Sequence, residues 1–285
     1  NGQLDRKVEG LASSDELLRR GQEDRGLTRP ELAVLLSTAK LALQDAIEAS
    51  DLADDPTMND ELLHAFPKEM QEKFAKAISE HQLRKEIIAT KVANRMINRL
   101  GLVHPFELAE EEGASLADIA AVFVAAERLF DMDKIWHALD VAKVDEGTRL
   151  ALFSQSAAAL GSQMADLLRV MPGTQPGDIV ARLKDGTDQI VGRVDRLLSE
   201  VGKRNAAHIA DKLSEAGADP KLVEPVVRLF KTDGVLGIVD LAERLGAEEV
   251  KVTEAFTSLG AALGLDWAQT AAARMSPSDP WARLL

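Results

Sequence analysis

Four cations recur along one stretch of this chain at spacings that place them on one side of a helix. Between Leu83 and Leu100, Arg84, Lys91, Arg95 and Arg99 share one arc at 100° per residue, with Asn94 and Asn98 on its edge. Guanidinium and ammonium groups gathered in this way can hold a phosphate or carboxylate through charge-assisted hydrogen bonds. The same arc also reads as a rim paired with the acidic remainder of the chain, and both readings stand. The asparagines read as buried groups that fix helix packing rather than as catalytic residues.

Other reactive patterns are weaker. Ser37-Thr38-Ala39-Lys40 matches S-x-x-K, and Lys231-Thr232-Asp233 is near K-T-G, but Ser37 falls mid-helix and no S-D-N element accompanies them. His64, His81, His104, His137 and His208 show no ligand spacing, and with no cysteine a zinc site is not expected. His137 beside Trp136 reads as a packing pair. The run Glu110-Glu111-Glu112 reads as a solvated helix end. Neither G-x-G-x-x-G nor G-x-x-x-x-G-K-[ST] occurs in a strand-to-helix context. The expectation is therefore no catalytic, no cofactor-binding and no metal-binding residue, with Arg84, Lys91, Arg95 and Arg99 as the one candidate anion-binding face.

The elements that carry these residues are helices. Thr28 and Glu31 form a T-x-x-E capping box, Leu27 and Leu32 can close a hydrophobic staple, and Pro30 sits where its missing donor costs nothing. Leu32, Leu35, Leu36, Ala39, Leu43 and Ile47 then recur at helical spacing, which predicts a helix from Thr28 to near Asp51. A short helix is expected behind Ser13-Ser14. Others are expected over 58–65 and from Pro67 at a first helical position, and the cationic helix closes on Gly101. Further helices are expected over 146–170, 177–184, 188–200, 204–216 and 220–231, with 171–177 as the clearest loop.

Composition agrees. Alanine and leucine dominate, aromatics are only 4% and tyrosine is absent, so the fold is expected to be all-α with no sheet. At 285 residues, one large or two ordinary domains fit. The formal charge of −13 repels nucleic acid and anionic membrane. Neither a membrane span nor a signal peptide is recognised, and the chain reads as a cytoplasmic protein. Asn1-Gly2 is not a natural start, so the sequence reads as a fragment.

One repeat is visible. Leu108-Ala109-Glu110, Gly113-Ala114, Phe123 and Asp133 match Leu241-Ala242-Glu243, Gly246-Ala247, Phe256 and Asp266, every pair 133 residues apart. Ile119 opposes Val252, Phe130 opposes Leu263 and Met132 opposes Leu265. These read as two copies of a helix–turn–helix unit, one in each of two helical subdomains, 1–145 and 146–285, with a boundary near Lys143–Gly147. The spacing of Ala109, Gly113 and Ile119, and of Ala242, Gly246 and Val252, also fits a DNA-binding helix-turn-helix module. The would-be reading helices carry Asp118 and Glu127 with only Arg128, or Glu248, Glu249 and Glu254 with only Lys251, which disfavours nucleic acid.

The run Arg25-Gly26-Leu27-Thr28-Arg29-Pro30-Glu31-Leu32-Ala33-Val34-Leu35-Leu36, with Ala39-Lys40-Leu41-Ala42-Leu43, resembles the C-terminal region of the large bacterial NAD-dependent glutamate dehydrogenases. The wording continues through Asp54-Asp55-Pro56, Phe66-Pro67, Arg84 to Thr90, Ala93-Asn94 and Asn98-Arg99. It extends through Gly113-Ala114-Ser115 to Leu263-Gly264-Leu265-Asp266-Trp267 and Asp279-Pro280-Trp281. It departs at Leu102-Val103-His104-Pro105-Phe106, where the family carries a threonine–phenylalanine pair. The resemblance implies a parent enzyme of amino-acid catabolism that deaminates L-glutamate to 2-oxoglutarate and ammonia with NAD. It also implies that the dinucleotide fold and catalytic residues lie upstream. This region would then be an assembly, stabilising or regulatory part without an active site or cofactor of its own. Its partners would be the upstream catalytic domain and further copies of the full-length chain. An effector-binding module using the Arg84–Lys91–Arg95 face is the alternative, and a helix-turn-helix nucleic-acid binder the second.

Overall fold

A computed structural model describes residues 5–265, and these are helical wherever they are regular, with no strand among them. The helices start where side chains can satisfy their open amides. Ser13 caps α1 (Ser14–Gln22) by accepting from the Glu16 amide, and Thr28 caps α2 (Arg29–Glu48) in the full reciprocal box with Glu31. Two 3-10 turns, Leu52–Asp54 and Pro56–Met58, lead to the short α3 (Asn59–Leu63), α4 (Lys68–Lys73) and α5 (Ala75–Ser79). The cationic helix α6 (Arg84–Leu100) stops at Gly101, whose φ of 89° suits glycine. α7 (His104–Glu112) and α8 (Leu116–Leu129) follow.

The chain then continues through α9 (Met132–Val141), α10 (Glu146–Val170), α11 (Pro176–Val191) and α12 (Val194–Leu197). The last described helices are α13 (Glu200–Glu215), α14 (Pro220–Lys231), α15 (Val235–Leu245) and α16 (Glu249–Leu263). No helix among the described residues is long and apolar enough to cross a membrane.

The chain divides into two compact units, one through Ala120 and one from Ala121. In the first, α2 lies along α6, and α3 packs on α5 and α6. Leu43, Ile47, Leu52, Met58, Leu62, Ile88, Val92 and Met96 are fully or almost fully buried there. In the second, α10 packs on α14 and α15, α11 on α15 and α16, and α13 on α14, over buried Leu160, Met164, Leu167, Ile179, Leu183 and Leu236. The turn between α9 and α10, where the sequence places its boundary, lies within this second unit.

Several expectations need correction. α2 ends at Glu48, short of Asp51, and Pro67 is the N-cap of α4 rather than its first residue. The expected helices over 177–184 and 188–200 are one helix, α11, followed by a short α12 and a fresh start at Glu200. Gly186 does not interrupt α11. It lets another helix approach, since a Cβ there would stand 2.7 Å from Val239 Cγ1 of α15. The real breaks come at 192–193 and at 198–199, where Leu198 is extended and Ser199 accepts from the Gly202 amide.

The 133-residue spacing has a local counterpart in the backbone. Gly113 and Gly246 each end a helix in the left-handed region, at φ 65° and 61°. Behind them, Ala114 and Ala247 each donate to the carbonyl five residues earlier, Ala109 and Ala242, at 3.0 Å. Asp131 and Gly264 are likewise both left-handed, at φ 52° and 70°. Burial differs, because Phe123 is fully buried while Phe256 is exposed. The matches at Asp266 and beyond, with Trp267 and Trp281, lie outside the described residues.

Candidate functional site

The cationic arc of α6 faces the segment that links α2 to α3. Arg84 donates through Nε to the Ala53 carbonyl at 2.9 Å and through Nη1 to Asn59 Oδ1 at 2.6 Å. Arg95 Nη1 meets Glu61 Oε2 at 2.7 Å, both groups largely shielded. Lys85, just off the arc, pairs with Asp54 at 2.8 Å, and Asp54 raises its pKa. Lys91 and Arg99 are half-buried, and Arg99 also has an interaction partner. Of the four candidate residues, then, Arg84 and Arg95 serve as brackets on residues 53–61. Asn94 is half-buried and Asn98 exposed, so they are not the buried pair expected from their place on the helix.

A second polar constellation sits where α1 meets α2. Glu31, only 6% exposed, accepts from the Thr28 amide at 2.7 Å, the Thr28 hydroxyl at 2.8 Å, the Ala12 amide at 3.3 Å and Arg20 Nη1 at 2.9 Å. The Thr28 amide and then its hydroxyl hold this carboxyl down at about 2, with Arg20 adding to them and desolvation opposing. The sequence announces the cap, but not that one carboxylate also fastens α1.

The second unit holds two clefts. One, of about 120 Å³, is lined by Gln163, Ser162, Leu229, Phe230 and Asp233. Gln163 is fully buried and donates through Nε2 to the Thr232 carbonyl at 3.0 Å, which leaves its Oε1 without a protein partner. The other, of about 290 Å³, has an apolar floor including Phe130, Ile135 and Pro225. Its charged rim is internally paired, Lys134 with Asp131 at 3.1 Å and Arg228 with Glu224. Neither cleft has a signature in the linear sequence, since each draws on helices far apart in the chain.

The histidines are dispersed, and no three metal-ligating side chains cluster among the described residues. His104 is half-buried, and desolvation lowers its pKa. His137 is exposed and is not the partner of Trp136. Trp136 instead stacks on Phe153, centroids 5.8 Å apart and planes 6° from parallel, and donates through Nε1 to Glu127 at 3.0 Å.

The described residues thus form a wholly helical region whose α2 opens on the capping box. The chain belongs to the glutamate dehydrogenase C-terminal family, whose pattern matches residues 24–285. Relatives include the NAD-specific glutamate dehydrogenases of Halomonas elongata, 31% identical across 98% of this chain, and of Mycobacterium tuberculosis, 27% identical across 98%. That of Pseudomonas aeruginosa is 27% identical across 93%. The chain spans about 18% of the length of the first relative and about 17% of the other two. It corresponds to the C-terminal part of a large NAD-specific glutamate dehydrogenase.

Proposed function

We propose that this region stabilises and assembles a larger NAD-dependent glutamate dehydrogenase, whose reaction converts L-glutamate to 2-oxoglutarate and ammonia. In this reading the region has no active site of its own, and the nicotinamide cofactor and catalytic residues belong to the part of the polypeptide ahead of it. The supporting observation is the match of residues 24–285 to the C-terminal family by a wholly helical described chain that is a small fraction of its relatives' length. The duplicated unit would give each subdomain the same helical corner. The shared left-handed positions at Gly113 and Gly246, and at Asp131 and Gly264, favour such a duplication.

The alternative, an anion-binding module on the α6 face, would require a ligand to compete with Glu61 for Arg95 and with Ala53 and Asn59 for Arg84. These internal acceptors favour the scaffold reading, as does the net charge of −13 against a nucleic-acid partner. The test is glutamate-dependent NAD reduction by the full-length polypeptide with and without this region, together with its mass by light scattering. The scaffold reading expects activity to survive with altered assembly or stability. Loss of activity with folding and assembly intact would overturn it.

A further inference from the structure

The apolar stripe of α2 is covered along only half its length. Leu32, Leu36, Leu43 and Ile47 fall within an arc of about 60°. Leu43 and Ile47 are fully buried, whereas Leu32 is 47% and Leu36 38% exposed. The stripe that anchors α2 in the core thus runs on, for about two turns, only partly covered by the described residues. The adjoining α1 buries none of its residues, and Leu18 on it is also exposed. A nine-residue helix without packing is marginal in water. Here the Arg20–Glu31 pair, backed by Thr28 and Ala12, holds it against the start of α2. The result is a corner held by polar bonds that leaves Leu18, Leu32 and Leu36 exposed.

We propose that Leu32 and Leu36 form a docking surface for an amphipathic helix of the same polypeptide, contributed by the part that precedes this region in the full-length enzyme. Two observations select that occupant. The relatives carry more than four-fifths of their length outside this region, and the family match is to the C-terminal part, so that chain leads into α1 and is held close by covalent connection. Arg29 and Lys40 flank the stripe on one edge, and neither has an ion pair among the described residues. The docking helix therefore presents an apolar face edged by carboxylates. The proposal rests on the scaffold reading and names the surface through which it works.

The test places a photo-cross-linking side chain in the full-length polypeptide, as Leu36→benzoylphenylalanine and separately as Leu32→benzoylphenylalanine. Leu41→benzoylphenylalanine is the control, because Leu41 is 57% exposed and about 180° around α2 from Leu32. The expected result is a cross-link at 32 and 36 that keeps the mass of one chain and maps to residues ahead of this region, at least ten times stronger than from 41. A product of doubled mass, a cross-link into residues after Ala120, or equal yields from 36 and 41 would each overturn the proposal. Deleting the whole region reports separately on the scaffold reading. If deletion disturbs assembly or stability while position 36 gives no selective intrachain cross-link, only the docking surface is wrong.

Discussion

Arg20 and Glu31, eleven residues apart, meet at 2.9 Å and join two helices across a turn. Glu31 does this while also serving as the third residue of the α2 capping box, so one carboxylate satisfies the cap and fastens the preceding helix. The corner formed by α1 and the start of α2 buries no apolar side chain at all, which makes this pair its principal tie.

Glu31→Gln should free α1. Hydrogen exchange at amides 13–35 should accelerate while α6 and α10 keep their protection. The carboxyl is held at about 2, below its ordinary 4.5, so its contribution is complete above pH 4.5 and disappears as pH falls through 2. The melting difference between the wild type and E31Q should therefore be constant from pH 5 to 8 and shrink steadily in acid. A difference that grows on acidification would contradict the assignment.

Gly186→Ala tests the contact between α11 and α15. Alanine gains about 1 kcal/mol in helix propensity. Its Cβ, however, would stand 2.7 Å from Val239 Cγ1 and 3.3 Å from Glu249 Cγ, and overpacking of this kind costs about 1–3 kcal/mol. A net loss of about 1 kcal/mol is expected in urea unfolding. Val239→Ala should be less harmful in the G186A background than alone, because it removes the branched methyl that clashes.

Arg84→Met removes both bonds that bracket the linking segment, leaving the buried Ala53 carbonyl and Asn59 unpaired. Hydrogen bonds from a charged donor are worth about 1.5–3 kcal/mol. Unfolding should become easier by about 2 kcal/mol, with the largest rise in amide exchange at 52–63. If stability is unchanged and only anion binding suffers, the arc is a ligand site instead.

Trp136→Ala should cost about 3–5 kcal/mol, as expected for truncating a buried aromatic side chain. Phe153→Leu, which keeps much of the volume and loses the stack, should cost about 1 kcal/mol. His137→Ala, at an exposed site, should change stability by less than about 0.5 kcal/mol. Urea titration of the three variants reads all of these.

Local signals were legible in the residues. The Thr28–Glu31 box, the boundaries of α10 and α14, the Gly101 stop and the pair of left-handed glycines 133 apart all depend on interactions within a few residues, where periodicity and capping chemistry are decisive. The expected gap between 184 and 188 is absent because α11 runs unbroken through Gly186, whose lack of a side chain admits Val239, a neighbour that periodicity does not reveal. Trp136 reads as a pair with its chain neighbour His137, yet it stacks on Phe153 seventeen positions away and donates to Glu127.

The sequence by itself determined the helical class, the absence of a dinucleotide-binding motif, and the family wording from Arg25 onward, because each is written in composition or in contiguous residues. Only the tertiary structure decided which acceptors the charged groups meet. On α6, the partners of Arg84 and Arg95 come from 25 to 34 residues away. Whether a guanidinium is a free binding group or a bracket depends on which acceptors packing brings within 3 Å, and chain spacing does not encode that. The same holds for α2, where one periodic stripe is buried at Leu43 and half-exposed at Leu32. Periodicity reports which residues share a face, and the packed neighbours alone decide how far along the helix that face is covered.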